Sequence, residues 1–216
     1  MTETPATETP ATETPATETK LRIAISVPSA DMVHADFAMS LARMCATTHG
    51  MLVNVINNKS SIVAIARNNG VQLAQEFGAH YLLFLDSDMM FPESTLWRLM
   101  MHRQDIVAAT YTKRVPPYPT LGTVLGADVS LAPPGLIEMA RVPTGCLLIK
   151  MSVFEKLQRP YFRFDANEQT GEIIGEDYIF CDRARAAGFR IWCDPVLSHE
   201  IGHIGQQVFK IPLVTA

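Results

Sequence analysis

Tyr81-Leu82-Leu83-Phe84-Leu85-Asp86-Ser87-Asp88 is the strongest strand signal in the chain. Five large apolar residues run unbroken into two carboxylates. The run has strand length, with Gly78 before it and Pro92 after it. An unbroken rather than alternating apolar run predicts a strand buried on both faces, as in the middle of a mostly parallel sheet. Open α/β sheets place their ligands at the C-terminal ends of such strands, and this end carries Asp86 and Asp88. If the chain stays extended there, both carboxylates project from one side and can share a hard divalent cation. Such a cation prefers oxygen ligands and suits a phosphorylated substrate. A bare Asp-x-Asp is more often a solvated turn and helix cap; the buried strand in front of it is what favours the ligand site.

Outward from this stretch, strand and helix signals alternate. Residues 21–27 read as a strand ending at Pro28. Residues 36–49 carry Phe37, Leu41 and Met44 at helical spacing, with Gly50 as a stop. Residues 51–56 read as a second strand and 57–60 as a loop, with Ser61 available to cap a helix that runs to Phe77. After the acidic pair, Pro92-Glu93 opens a helix to about Met101, and 106–109 form another strand. This β-α-β-α-β-α-β order predicts a parallel α/β half. Residues 111–143 hold six of the 14 prolines and predict an irregular, partly antiparallel region covering the site. A buried strand at 144–149, a short helix at 152–158, a polar mobile loop at 165–175, a helix at 176–187 and a strand at 189–193 complete the pattern. Residues from Asp194 onward read as irregular.

Composition narrows the function classes. Of the 216 residues, 48% are hydrophobic, yet no run approaches the ~18–20 apolar residues that span a bilayer. The N-terminus lacks a basic-then-apolar signal, so a cytoplasmic location is expected. Residues 2–16 are three copies of Thr-Glu-Thr-Pro-Ala, too polar and proline-rich to build a core. The expected organisation is a disordered tail, 1–19, and one domain, 20–216. The formal charge of −4 comes from Glu3, Glu8, Glu13 and Glu18; the rest carries 18 residues of each sign. Nucleic-acid binding would need a basic excess that is not there. The four scattered cysteines form no Cys-x-x-Cys, which excludes a disulfide framework or zinc ribbon.

Several blocks together resemble family 2 glycosyltransferases of the GT-A fold. Ala66-Arg67-Asn68-Asn69-Gly70 and a helix precede the strand ending in Leu85-Asp86-Ser87-Asp88. Thr144-Gly145-Cys146-Leu147-Leu148-Ile149 is similar to the strand before the acceptor region. Gly175-Glu176-Asp177 through Arg183 is similar to the family's G-E-D helix, and His203-Ile204-Gly205 to its H-x-G. The blocks fall in the family's order from Leu21 to about Gly205, and the shape is closest to small members found in bacteria and their phages. The resemblance implies a mostly parallel α/β sheet flanked by helices, with a smaller antiparallel acceptor-side region. It implies transfer of a sugar from a nucleotide-diphosphate donor with Mn²⁺ or Mg²⁺. Asp88 would bind the metal, Asp86 the metal or ribose, and His203 would complete the metal shell or touch the diphosphate. Asp177 would be the general base of an inverting reaction, and Glu176 would shape the acceptor site. Arg67 and Asn68 would lie near the nucleotide, and Pro28 and Ser29 would begin its wall. Many members carry an Asp pair at the end of the second strand; here Ile56-Asn57-Asn58 stands there, with Asn57 left to read the base. The acceptor could be a glycan, a lipid-linked sugar, a protein or a small molecule.

Each block also has a plainer reading. Glu176 and Asp177 are first-turn acids that suit a helix dipole, and Arg67 and Asn68 are ordinary on a solvated helix. A rival signal is His199-Glu200-Ile201-Gly202-His203, a formal H-E-x-x-H of zinc proteases. That pattern needs a helix, and Pro195, Gly202 and Gly205 work against one. A third reading is an inactive sugar-nucleotide-binding protein, against which intact Asp86, Asp88 and Asp177 argue.

Overall fold

The structure is a computed structural model and describes residues 20–126 and 133–205. The repeat tail expected to be disordered, 1–19, lies outside the described residues. Among the described residues twelve strands and six helices follow one another: β1 (Leu21–Ser29), α1 (Ala35–Ala46), β2 (Met51–Lys59), α2 (Val63–Phe77), β3 (Tyr81–Leu85), β4 (Met89–Met90), α3 (Thr95–Met101), β5 (Ile106–Ala108), β6 (Thr123–Val124), β7 (Ile137–Arg141), β8 (Cys146–Lys150), α4 (Met151–Glu155), β9 (Asp165–Ala166), β10 (Ile173–Ile174), α5 (Glu176–Ala186), β11 (Ile191–Cys193), α6 (Pro195–Ser198) and β12 (Gly202–His203). Eight strands form one sheet in the order β2-β1-β3-β8-β5-β11-β7-β6.

The α/β class is as the sequence predicts, and the sheet is mixed. β1 pairs in parallel with β2 and β3, and β11 with β5. β8 enters antiparallel between β3 and β5, so those two still point the same way. The C-terminal ends of β1, β3, β5 and β11 therefore share one edge of the sheet. The N-terminal end of β8 lies at that edge too, where the Asp86 amide donates to the Gly145 carbonyl at 3.1 Å. β7 and β6 add an antiparallel flank, as expected for the region after 111.

Burial on both faces follows from strand alternation. Leu82 and Phe84 join one apolar cluster with α2, α4 and α5 side chains such as Val71, Phe154 and Phe180. Leu83 and Leu85 join another with Phe37, Met44, Leu96, Leu99 and Leu197 from α1, α3 and α6. All four of these β3 residues have no exposed surface, worth about 1.5–3 kcal/mol each. The three-layer arrangement leaves the strand ends, not the faces, for ligands. Among the described residues no helix is long and apolar enough to cross a membrane.

Four local expectations are corrected. Ser61 does not cap α2: the N-cap is Ile62, without a side-chain bond, and the Ser60 hydroxyl accepts from the Ile62 amide at 3.1 Å. Asn57, Asn58 and Lys59 are not loop but the end of β2, in register with Val27, Pro28 and Ser29. The buried Asn58 amide donates to Ser26 Oγ at 3.0 Å, which draws that end of β2 onto β1. The 165–175 loop contains the β9–β10 hairpin. Of the residues after Asp194, those described through 205 include α6 and β12, with Asp194 capping α6 through the Leu197 amide at 2.8 Å, and 206–216 lie outside the described residues.

Candidate active site

Asp86, Ser87 and Asp88 do not continue β3. The Met89 amide donates to the Asp86 carbonyl at 3.1 Å and folds the segment into a turn. The chain then pairs as β4 with β12, which sets His203 opposite Met89. Even in a turn, both carboxylates line two adjoining cavities. The smaller, about 240 Å³, is walled by Pro28, Ser29, Ala30, Ser60, Ser61 and Val63. The larger, about 620 Å³, is walled by Tyr111, Lys113, Arg114, Arg141, Asp177, Tyr178, His203 and the β9–β10 hairpin. The two acids thus stand at the junction of two spaces at the C-terminal edge of the sheet.

Arg67 ties the sequence blocks together. Its Nη1 and Nη2 donate to the two oxygens of Asp86 at 3.0 and 3.3 Å, and its Nε to Glu176 Oε1 at 2.9 Å. The Arg67 side chain is only 4% exposed, on the face of α2 that packs against the sheet. Burial would lower its pKa, but Asp86 and then Glu176 more than offset this and raise it above the usual arginine value. It stays charged, one guanidinium shared between two carboxylates. Glu176, expected to shape the acceptor site, is buried and faces Arg67 rather than the cavity.

Asp177, the next residue, does line the larger cavity. Burial, and then the charge of Glu176, pushes its carboxyl up to about 6. Its Oδ1 accepts from the Tyr178 amide at 2.8 Å. A Cβ on Gly175 would lie 2.7 Å from Asp177 Oδ1, so the bare backbone there makes room for the carboxylate.

His203 lies beside Asp88, with Nε2 3.5 Å from Asp88 Oδ2. Its Nδ1 is 2.8 Å from the Thr112 carbonyl, which can only accept. Nδ1 therefore carries the hydrogen, and in the neutral ring Nε2 presents its lone pair. Two ligand atoms at right angles on a ~2.1 Å shell sit about 3 Å apart; the 3.5 Å separation here is wider, but one divalent cation could still reach both atoms. Asp86 is held by Arg67 instead. Among the described residues no three His, Cys, Asp or Glu side chains are grouped to hold a metal. Asp88 and His203 are the neighbouring side chains at this edge that could hold a metal.

The remaining expected residues divide. Pro28 and Ser29 wall the smaller cavity, and the Ser29 hydroxyl donates to Asn57 Oδ1 at 2.6 Å. Asn68 is elsewhere: its amide nitrogen donates to the Ala64 and Phe162 carbonyls, both at 2.7 Å, and its oxygen accepts from the Tyr161 and Phe162 amides. It clasps α2 to the chain before β9 and is spent on that role. The His199–His203 pattern is not helical: His199 ends α6, Glu200 pairs with Arg98 at 2.6 Å, and His203 is in β12. The one-face geometry that H-E-x-x-H requires is not met.

Sequence reading missed Arg114, Lys113 and Tyr111. Arg114 Nη1 donates to Asp88 Oδ2 at 2.8 Å and to the Ile204 carbonyl at 2.9 Å. The Tyr111 hydroxyl accepts from the Gly145 amide at 3.1 Å, and a Cβ on Gly145 would fall 2.2 Å from that oxygen. All three follow β5, whose C-terminal end shares the edge with that of β3. Polar residues just past any strand pointing that way were the available signal.

No family model and no curated protein matches the sequence. Among solved structures, the chain is similar to A197 from STIV, with a TM-score of 0.56 and 14% sequence identity, over 90% of this chain and 100% of that one. A structure of S. aureus TarS 1-349 in complex with UDP-GlcNAc aligns over 80% of this chain and 56% of that one, at 16% identity and a TM-score of 0.49. At such identities the likeness to A197 is one of fold: a mixed α/β sheet flanked by helices with small antiparallel additions.

Proposed function

We propose that this chain is a metal-dependent glycosyltransferase that moves a sugar from a nucleoside-diphosphate donor to an acceptor hydroxyl with inversion. One observation carries the reading: Arg67 binds Asp86 and Glu176 in one buried clasp, which sets Asp177 and Asp88 on the same cavity. Three sequence blocks that are far apart in the chain thereby serve one cleft.

The smaller cavity receives the nucleoside, with Ser29, Ser60 and Ser61 as its polar wall and Asn57 behind Ser29. Asp88 and His203 would hold Mn²⁺ or Mg²⁺, which when bound stabilises charge on a departing diphosphate as a Lewis acid. Arg67 keeps Asp86 in one orientation, so no reorganisation is needed as charge develops. In the larger cavity the acceptor oxygen attacks the anomeric carbon and the bond from that carbon to the diphosphate oxygen breaks. The proton of the acceptor hydroxyl passes to the Asp177 carboxylate. A base with its pKa near 6 is ionised at neutral pH and still takes a proton readily. Glu176 acts only through Arg67 and through its charge on Asp177, as a positioning residue.

The test is donor turnover. The full chain with Mn²⁺ is given a panel of UDP- and GDP-sugars, and release of free sugar and nucleoside diphosphate is followed. Slow hydrolysis of one donor, abolished in Asp88→Asn, is the expected result. No turnover of any donor, with or without extracts supplying acceptors, would sink the proposal.

A further inference from the structure

The two aspartates of the cleft are each paired with an arginine, and the two pairs differ in kind. Arg67–Asp86 is buried, with side-chain exposures of 4% and 26%, and is locked by a second carboxylate. Arg114–Asp88 has exposures of 47% and 25% and no second carboxylate. An ion pair that open to water is worth about 0.2–1 kcal/mol, so its exchange for another partner costs little.

Arg114 also sits where a cation would. The Asp88 Oδ2 that accepts from Arg114 Nη1 is the same atom that lies 3.5 Å from His203 Nε2. A guanidinium and a divalent cation cannot share that oxygen without close like-charge repulsion. We propose that Arg114 is a displaceable cation: it neutralises Asp88 in the ligand-free protein, yields it to a divalent metal, and then pairs with the donor's diphosphate. This inference rests on the glycosyltransferase reading and adds a diphosphate-binding residue to it.

The backbone around Arg114 supports a swinging side chain on a fixed base. Thr112 and Thr120 form a β-bridge, the Lys113 amide donates to the Pro119 carbonyl at 2.9 Å, and the Leu121 amide to Tyr111 at 2.8 Å. The stem of Arg114 crosses Gly205, where a Cβ would meet its Cδ at 3.0 Å. Only Nη1 is engaged, by Asp88 and Ile204; Nε and Nη2 make no hydrogen bond among the described residues. Those free donors form the edge of a planar fork that matches two phosphate oxygens. Metal arrival and diphosphate arrival are then linked: the metal frees the guanidinium that the diphosphate needs.

The linkage predicts effects of opposite sign on two ligands. Mn²⁺ binding by the full chain is measured by electron paramagnetic resonance with no nucleotide, and UDP and GDP binding by calorimetry with Mn²⁺ saturating. Arg114→Met should bind Mn²⁺ about two- to fivefold tighter, the worth of an exposed ion pair removed. The same variant should bind the preferred diphosphate about tenfold to a hundredfold more weakly. Arg114→Lys should fall between, and thermal melts should show both variants folded. Mn²⁺ affinity that is unchanged or weaker in Arg114→Met, while Asp88→Asn loses Mn²⁺, overturns this inference alone. Unchanged diphosphate affinity overturns it equally. If Asp88→Asn keeps its Mn²⁺ affinity, the metal reading itself fails and this inference falls with it.

Discussion

Replacing Asp177 by Asn should weaken the reaction and strengthen the fold, with a pH signature that ties both to one carboxyl. That carboxyl is pushed from 3.8 to about 6, first by burial and then by the neighbouring charge of Glu176. A shift of about two pKa units, at about 1.36 kcal/mol each, makes ionised Asp177 cost the folded state up to about 3 kcal/mol. The native state holds the proton more tightly than the unfolded chain. The associated stability is therefore present below pH 4 and is lost as pH rises through about 6. Asn is neutral throughout and keeps an oxygen for the Tyr178 amide now bonded at 2.8 Å. Against the gain stands the loss of a first-turn acid from α5, about 0.3–1 kcal/mol; desolvation wins. Urea denaturation of both proteins across pH 4–8 should show a variant advantage near zero at pH 4 that grows to about 2–3 kcal/mol above pH 7. Transfer to acceptor should fall by about 10²–10⁴ with nucleotide affinity unchanged. A stability difference that does not vary with pH, or a loss at every pH, would refute the reasoning and make Asp177 a helix cap.

Two other substitutions probe the scaffold of the site. Arg67→Met leaves the buried Glu176 and the partly exposed Asp86 without their common cation, and denaturant melts at pH 7 should show a loss of up to about 3 kcal/mol. Adding Glu176→Gln should return part of it, whereas no recovery would mean that packing dominates. Gly70→Ala would place a Cβ 2.3 Å from Ser26 Oγ, costing about 1–3 kcal/mol by thermal or urea melts. Ser26→Ala should recover part of that loss in the double variant, and simple additivity would show that the clash is relieved elsewhere.

What the sequence made legible and what it hid divide along locality. The run 81–85 announces a strand buried on both faces, because alternate residues must each meet an apolar layer, and they do. The acidic strand end and the helix at 176 were equally readable. The turn at Ser87 was not: a single serine carries no instruction to leave the extended state, and pairing of β4 with β12 sets it. Asn57 and Asn58 look like loop, but Asn58 earns its place in β2 through Ser26, which lies 32 residues away. The antiparallel entry of β8 between β3 and β5 is a property of partners, not of its own apolar residues. Glu176 could be placed on a helix but not against Arg67, which is 109 residues away in the chain. Arg114 stands in a proline-rich stretch with no periodicity, and only the hairpin from Thr112 to Thr120 aims it at Asp88.

We propose the Asp86–Asp88 edge of the sheet as a metal-dependent site for a nucleoside-diphosphate sugar. Calorimetric titration of the full chain with a panel of UDP- and GDP-sugars, with and without Mn²⁺, tests it most directly. One donor should bind at a single site only with the metal present, and Asp88→Asn should abolish that binding. A donor that binds equally well without metal and in Asp88→Asn, or a panel in which none binds, would contradict it.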